Sequence, residues 1–233
     1  LHVPYTSRWM RMRTQLTLRK ADMVLCLSTE IQDTVHDLLP HSVSKTRFHD
    51  FAPVDSRLFS PGDTLLRREL GWDDNKVVIM TRNAYPAVYG VEYFVEAIPA
   101  IIDAEPQARI IFVGSGSLDR ELRSRLTELG MDGKVHWAGR VEHQALATYL
   151  NAADVYVSTS FTDGSSASLL EAMACALPVV VSGIPANRDW IADGENGLLV
   201  DVGDYSAIHS AINHHVRDHP DLWNERETSS SDF

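Results

Sequence analysis

The chain has 233 residues, 44% of them hydrophobic and 23% charged, which excludes a fibrous or disordered chain and allows one large domain, or one and a half smaller ones, with ample core. Its formal net charge of −11 argues against nucleic acid as the main partner, because gripping a phosphate backbone takes a basic face. Cys26 and Cys175 both sit in apolar runs without framework spacing, so they read as free thiols and point to a reducing compartment, the cytoplasm. The longest greasy run, AMACALPVVV, is too short to span a bilayer and is broken by Pro178.

Residues 1–20 carry Arg8, Arg11, Arg13, Arg19 and Lys20 and no acid, interleaved with Trp9, Met10, Met12, Leu16 and Leu18. Residues 8–20 read as a helix. It is either an ordinary surface helix with a solvated basic face or a peripheral contact for an anionic membrane surface or a phosphorylated acceptor. ADMVLCLS (residues 21–28) reads as a buried strand, TEIQDTVHDLL (29–39) as a helix, and a second short strand is expected near 47–51. Two or three elements cannot close a doubly wound sheet. Residues 1–51 are therefore expected to be the end of a domain whose beginning lies elsewhere, or an extension of the main sheet. APVDSRLFSPGD, at 52–63, has the prolines and turn residues of a linker.

From Thr64 the pattern becomes regular. KVVIMT, RIIFVG, VHWAG, VYVSTS, PVVVSG and GLLV alternate with helical stretches VEYFVEAIPAIIDA, LDRELRSRLTEL, EHQALATYLNAA, ASLLEAMACA, a short one at 185–192, and one from Asp204 to about Arg217. Strands alternating with helices and lacking hairpin turns predict an α/β fold, a doubly wound parallel sheet. Ligands of such sheets bind at the carboxyl ends of the strands, here the turns after Thr81, Val113, Ala138, Ser160 and Ser182. The tail 218–233 ends in ETSSSDF, of disordered character.

One of these turns carries chemistry. Between VYVSTS and ASLLEAMACA lies Asp163-Gly164-Ser165-Ser166, a strand, turn and helix start. Ser165 or Ser166 is a suitable N-cap, and the free amides beyond it, with the helix dipole behind them, suit a phosphate. Asp163 and Glu171 flank the turn. A carboxylate is a pure acceptor with two oxygens, matched to the paired hydroxyls of a ribose or sugar ring. The bland alternative is a capped junction of the kind every doubly wound protein has.

Taken together, ADVYVSTS, Asp163-Gly-Ser-Ser-Ala-Ser-Leu-Leu-Glu171, AMACALPVVVSG and IADGENGLLV resemble the retaining glycosyltransferases of GT-B fold, a family that includes bacterial polysaccharide and lipid glycosyltransferases. The two acids keep the family's spacing. The resemblance implies a donor-binding Rossmann-like domain at 64–217 and, at 1–51, the end of an acceptor-side domain. It also implies a nucleotide-diphosphate sugar as donor and a glycan or lipid-linked acceptor, with no metal or other cofactor. Glu171 would hold the ribose hydroxyls and Asp163 those of the transferred sugar. The turn Gly164, Ser165, Ser166, Ala167 and Ser168 would contact the sugar and distal phosphate. Arg82 would clamp the diphosphate, Gly114 and Gly116 would admit the nucleotide closely, and Gly139-Arg140-Val141 would face the base. The sequence departs from the family at three points: Asp163 stands for the usual Glu, Gly-Ser-Ser for Gly-Phe-Gly, and Tyr89 for the lysine that pairs with Arg82. The resemblance places the acceptor site and a catalytic-site histidine in strands preceding residue 1, so this chain alone is expected not to turn over.

Rival readings attach to other residues. Gly114 and Gly116 invite a dinucleotide-dependent oxidoreductase, but Asp119 occupies the place of the third glycine. A sugar-nucleotide epimerase of the same fold, or a binding domain without catalysis, fits much of the same pattern. His214, His215, Asp218 and His219 precede or surround a helix end at Pro220 and read as a solvated polar face rather than a metal site. His143 reads as part of a helix start, and Glu195 and Asn196 as turn residues.

Overall fold

The computed structural model describes residues 8–48, 54–72, 78–82 and 87–218. The first helix, α1 (Arg8–Lys20), buries none of its residues. Trp9, Met10, Met12 and Leu16 are exposed alongside its arginines. Its end is held by Lys45, whose ammonium donates to the carbonyls of Leu18 at 2.6 Å and Ala21 at 2.7 Å, the usual service of a cation at a helix C-terminus. A short strand β1 (Val24–Cys26) follows, then α2 (Thr29–Leu38), capped by the Ser28 hydroxyl accepting from the Ile31 amide. A 3-10 turn at Pro40–Lys45 leads into β2 (Thr46–Phe48), which pairs in parallel with β1, Val24 opposite Thr46. Strand β1 is shorter than its apolar run suggested, and residues 49–51 of the second expected strand lie outside the described residues.

The segment read as a linker is fastened down. Phe59 is only 1% exposed, and the Asn151 carboxamide accepts from the Gly62 amide and donates to the Ser60 carbonyl. A short helix α3 (Leu66–Glu69), absent from the sequence reading, follows.

Among the described residues the main sheet has six parallel strands, β3 (Val78–Arg82), β4 (Arg109–Val113), β5 (Val135–Gly139), β6 (Val155–Ser158), β7 (Val179–Ser182) and β8 (Leu198–Val200), in the spatial order β5-β4-β3-β6-β7-β8. The connecting helices are α4 (Val91–Ala104), α5 (Asp119–Glu128), α6 (His143–Ala152), α7 (Ala167–Ala174), α8 (Pro185–Arg188) and α9 (Tyr205–Asp218). The chain winds outward from β3 to β5, then returns to β6 and winds the other way, which is the Rossmann order with its switch point between β3 and β6.

Parallel strands are buried on both faces, so their residues alternate between two cores rather than between core and water. Ile110, Phe112, Val155, Val157 and Val180 pack against α4, α5 and α9. Ile111, Val113, Tyr156, Val179 and Val181 pack against α6 and α7 on the opposite face, where Phe59 joins them. Each such fully buried side chain contributes about 1.5–3 kcal/mol relative to exposure. The two cores fix the strand ends, and those ends carry the candidate site.

Candidate functional site

At the end of β3 stands Arg82, in register with Val113 of β4; Thr81 one residue earlier is level with Val157 of β6. The backbone of Arg82 is thus at the rim beside the switch point. Its side chain lies outside the described residues. The next two rim turns are joined directly: the Gly114 amide, at φ 111°, donates to the Gly139 carbonyl at 2.6 Å. A side chain at either residue would strain that backbone, since Gly139 also has a positive φ, 66°. Gly116 turns into α5 by donating its amide to the Asp119 carboxylate at 2.8 Å, so the aspartate that breaks the dinucleotide pattern forms the turn itself. Arg140 is exposed and Val141 half-buried at the mouth of the β5–α6 turn.

The β6–α7 turn is bound to the turn ahead of α4. Phe161 donates its amide to the Val88 carbonyl, and the Thr159 hydroxyl donates to the Tyr89 carbonyl at 3.1 Å. The Tyr89 side chain packs against the core beneath α4.

Beyond Thr159, Asp163 folds back on its own turn. Its Oδ1 accepts from the Gly164 amide at 2.6 Å and more distantly from the Ser165 amide at 3.4 Å. Those two amides are therefore engaged by the protein. The sequence offers Ser165 or Ser166 as the cap of α7, and Ser166 takes the position, but with φ 41° and ψ 42° and no side-chain capping bond, because left-handed backbone aims the side chain elsewhere. The hydroxyl instead donates to Oδ1 of the buried Asn187, whose amide group donates to the Ser182 carbonyl at 2.8 Å. The amides of Ala167 and Ser168, the first two of α7, have no protein acceptor among the described residues. These are the donors left open at the positive end of the helix dipole.

One turn further along α7, Glu171 is buried, its side chain 9% exposed. Nε2 of His143, the first residue of α6, donates to Oε1 of Glu171 at 2.8 Å. The sequence reading left His143 as a mere helix start. Asn187 also escaped it, and so did Asp189, whose carboxylate accepts from the amide and hydroxyl of Thr29 and so ties the start of α2 to α8. Ile31 of α2 comes to 4.0 Å of where a Cβ on Gly164 would stand, so α2 borders the same turn. Asn196 closes the loop before β8, as expected of a turn residue, by accepting from the Ala192 amide.

Among the described residues no group of three or more His, Cys, Asp or Glu side chains is placed to hold a metal ion. His214, His215 and Asp218 fall on α9, with side chains outside the described residues, as is His219 entirely. Among the described residues no helix is long and apolar enough to cross a membrane.

The family profile described as glycosyl transferases group 1 matches residues 75–218. A GDP-mannose-dependent monoacylated alpha-(1-6)-phosphatidylinositol monomannoside mannosyltransferase of Corynebacterium glutamicum is 29% identical over 177 residues, covering 73% of this chain and 44% of that protein. The lipopolysaccharide core biosynthesis mannosyltransferase LpsB of Rhizobium meliloti is 24% identical over 95% of this chain and 64% of its own length. The chain thus spans less than two thirds of these relatives. Among solved structures, Anabaena HepE in complex with UDP and glucose superposes with a TM-score of 0.84 at 21% identity, covering 96% of this chain and 62% of that one. Sucrose-phosphate synthase of Thermosynechococcus elongatus gives 0.81 at 23% identity, over 98% and 57%. These two likenesses establish the architecture, the Rossmann-like fold of GT-B glycosyltransferases. With its profile match covering more than half of the sequence, the chain belongs to the glycosyl transferases group 1 family.

Proposed function

We propose that this chain is the donor-binding part of a glycosyltransferase that moves a hexose from a nucleotide-diphosphate sugar to a glycan or lipid-linked acceptor, with retention of configuration. The observation that carries the reading is the opening of α7 at the sheet's switch point. Two amides without a protein acceptor among the described residues, those of Ala167 and Ser168, stand one helical turn ahead of a buried carboxylate, Glu171. In this reading Glu171 accepts from the ribose hydroxyls and Asp163 from hydroxyls of the transferred sugar. The Ala167 and Ser168 amides, with Arg82 at the end of β3, stabilise the negative charge that develops on the departing diphosphate. Gly114, Gly116 and the Gly139–Val141 turn border the nucleotide. Positive donors take the place of a metal, no side chain serves as nucleophile, and the leaving phosphate accepts the acceptor's proton on the face it vacates. The phosphatidylinositol monomannoside and the lipopolysaccharide core biosynthesis in the names of the two mannosyltransferases above support a lipid-linked or glycan acceptor.

The test is Glu171→Ala in the full-length protein, with nucleotide-sugar binding followed by calorimetry. Loss of two hydroxyl contacts to a charged acceptor should weaken binding by about 30- to 100-fold. Unchanged binding sinks the assignment. A second reading, a sugar-nucleotide-binding domain without transfer, is favoured by one feature. Tyr89 supplies no charge where the diphosphate would want one, and its ring packs against the core. Binding without turnover in a transfer assay on the full-length protein would select it.

A further inference from the structure

The contact between His143 and Glu171 goes beyond the roles assigned above. Glu171 sits on α7 and His143 28 positions earlier, at the start of α6. The two are brought together because β6, which leads to α7, and β5, which leads to α6, end on the same rim. The imidazole is itself braced: its ring meets the ring of Phe59 edge-on, 5.1 Å between centroids at 62°. Phe59 is almost wholly buried, and its neighbours are tied to Asn151 of α6. The His143 side chain is nevertheless 62% exposed. An exposed ring held against a buried aromatic and aimed at a buried carboxylate restricts that carboxylate far more than solvent would.

Resting on the reading of Glu171 as the ribose acceptor, we propose that His143 is a positioning residue for it. The Nε2 donor holds Glu171 in the rotamer that presents the carboxylate to a ribose diol at the rim. A carboxylate accepts several hydrogen bonds at once, so the histidine bond and the ligand's hydroxyls are compatible. The bond's contribution is orientation: a mis-set carboxylate would meet one hydroxyl instead of two. Phe59, from the segment between the two sheets, supports the ring, so the stretch read as a linker takes part in the site at second hand.

The experiment compares ligands as well as variants. Uridine and guanosine diphosphates and their 2′-deoxy counterparts are titrated by calorimetry into wild type, Glu171→Ala, His143→Phe and His143→Gln. Phenylalanine keeps a ring against Phe59 but has no donor, whereas glutamine keeps a donor. The wild type should prefer a ribonucleotide over its deoxy counterpart, and His143→Phe should lose about ten-fold in affinity for the ribonucleotide. Its affinity for the deoxy ligand should hardly change, and His143→Gln should recover most of the loss. Equal weakening of both ligands by His143→Phe would mark a general structural defect and overturn the proposal. So would a preference for ribose that His143→Phe keeps and Glu171→Ala abolishes, while leaving the donor-site reading intact. Wild type that binds no diphosphate, or binds ribo and deoxy forms alike, overturns the donor-site reading and this inference with it. Denaturation midpoints for all variants separate a misfolded protein from a mis-set carboxylate.

Discussion

Ser166 donates its hydroxyl to Oδ1 of Asn187, and both residues are buried. The bond holds a serine in left-handed backbone at the entrance of α7, where an L-residue is disfavoured by roughly 1–2 kcal/mol. A buried hydrogen bond contributes about 1 kcal/mol net, so it offsets much of the strain. Two substitutions separate these effects. Ser166→Ala keeps the strain and orphans the Asn187 acceptor, and should lower stability by about 2 kcal/mol. Ser166→Gly relieves the strain as it loses the bond, and should stay within about 1 kcal/mol of wild type. Urea denaturation reads both, and equal stability of the two variants would contradict the account.

Ala176 ends the same helix with the geometry a glycine would choose. The Leu177 amide donates to Ala172 O and the Ala176 amide to Met173 O, with Ala176 at φ 53°; this is the Schellman closure. Helix α5 closes the same way through Met131 to Leu126 and Gly130 to Thr127, but there the left-handed residue is Gly130, at φ 72°. Ala176→Gly should therefore raise stability by about 1 kcal/mol, and Gly130→Ala, which has no neighbour within 4 Å of the added methyl, should lower it by a similar amount. Thermal or urea unfolding checks both signs. A destabilised Ala176→Gly would mean that the methyl's packing outweighs its backbone strain.

The strands of the main sheet were legible because parallel strands buried on both faces leave unbroken β-branched runs, as Val179, Val180 and Val181 do. The helices were legible through their 3.6-residue periodicity and their stop signals, Pro178 among them. What was not legible depends on strand order, which no local pattern records. His143 meets Glu171, Ser166 meets Asn187 and Thr29 meets Asp189 only after the chain has doubled back from β5 to β6. Local preference misled at Ser166, where a good capping residue adopts a backbone conformation that turns its hydroxyl away. It misled again at Phe59, whose proline- and aspartate-rich neighbourhood suggested a linker, while α6 supplies the surface that buries it. The spacing of Asp163 and Glu171 was legible, but which amides of the turn are engaged could be told only from the hydrogen bonds: those of Gly164 and Ser165 are taken by Asp163, and those of Ala167 and Ser168 have no protein acceptor among the described residues.

Under the proposed function Asp163 has two separable duties. As a turn former it accepts amides through Oδ1; as a donor-site residue it supplies charge to sugar hydroxyls. Asp163→Asn keeps an amide-accepting oxygen and should leave stability within about 0.5 kcal/mol, while nucleotide-sugar affinity falls by about ten-fold. Asp163→Ala loses both duties and should also be destabilised by about 1 kcal/mol. If the asparagine variant binds nucleotide sugar as tightly as wild type, the carboxylate serves only the turn.

His136, on β5, makes folding stability depend on pH in a predictable direction. Its ring lies edge-on to Trp72 and parallel to Tyr149, and burial holds its pKa below the ordinary histidine value of 6.5. The folded chain thus resists the proton that the unfolded chain takes up. Well above 6.5 both states are neutral at this residue and stability is undiminished. As the pH falls below that value the unfolded state binds more protons, so stability declines. The decline levels off once the pH is under the depressed folded value. His136→Phe removes the titrating group while keeping an aromatic ring between Trp72 and Tyr149. Its unfolding free energy, measured by urea at a series of pH values on either side of 6.5, should fall less steeply on acidification than that of wild type. The other histidines contribute equally to both proteins, so the difference between the two slopes isolates His136. Superimposable slopes would show that the ring is as easily protonated in the folded chain as in the unfolded one.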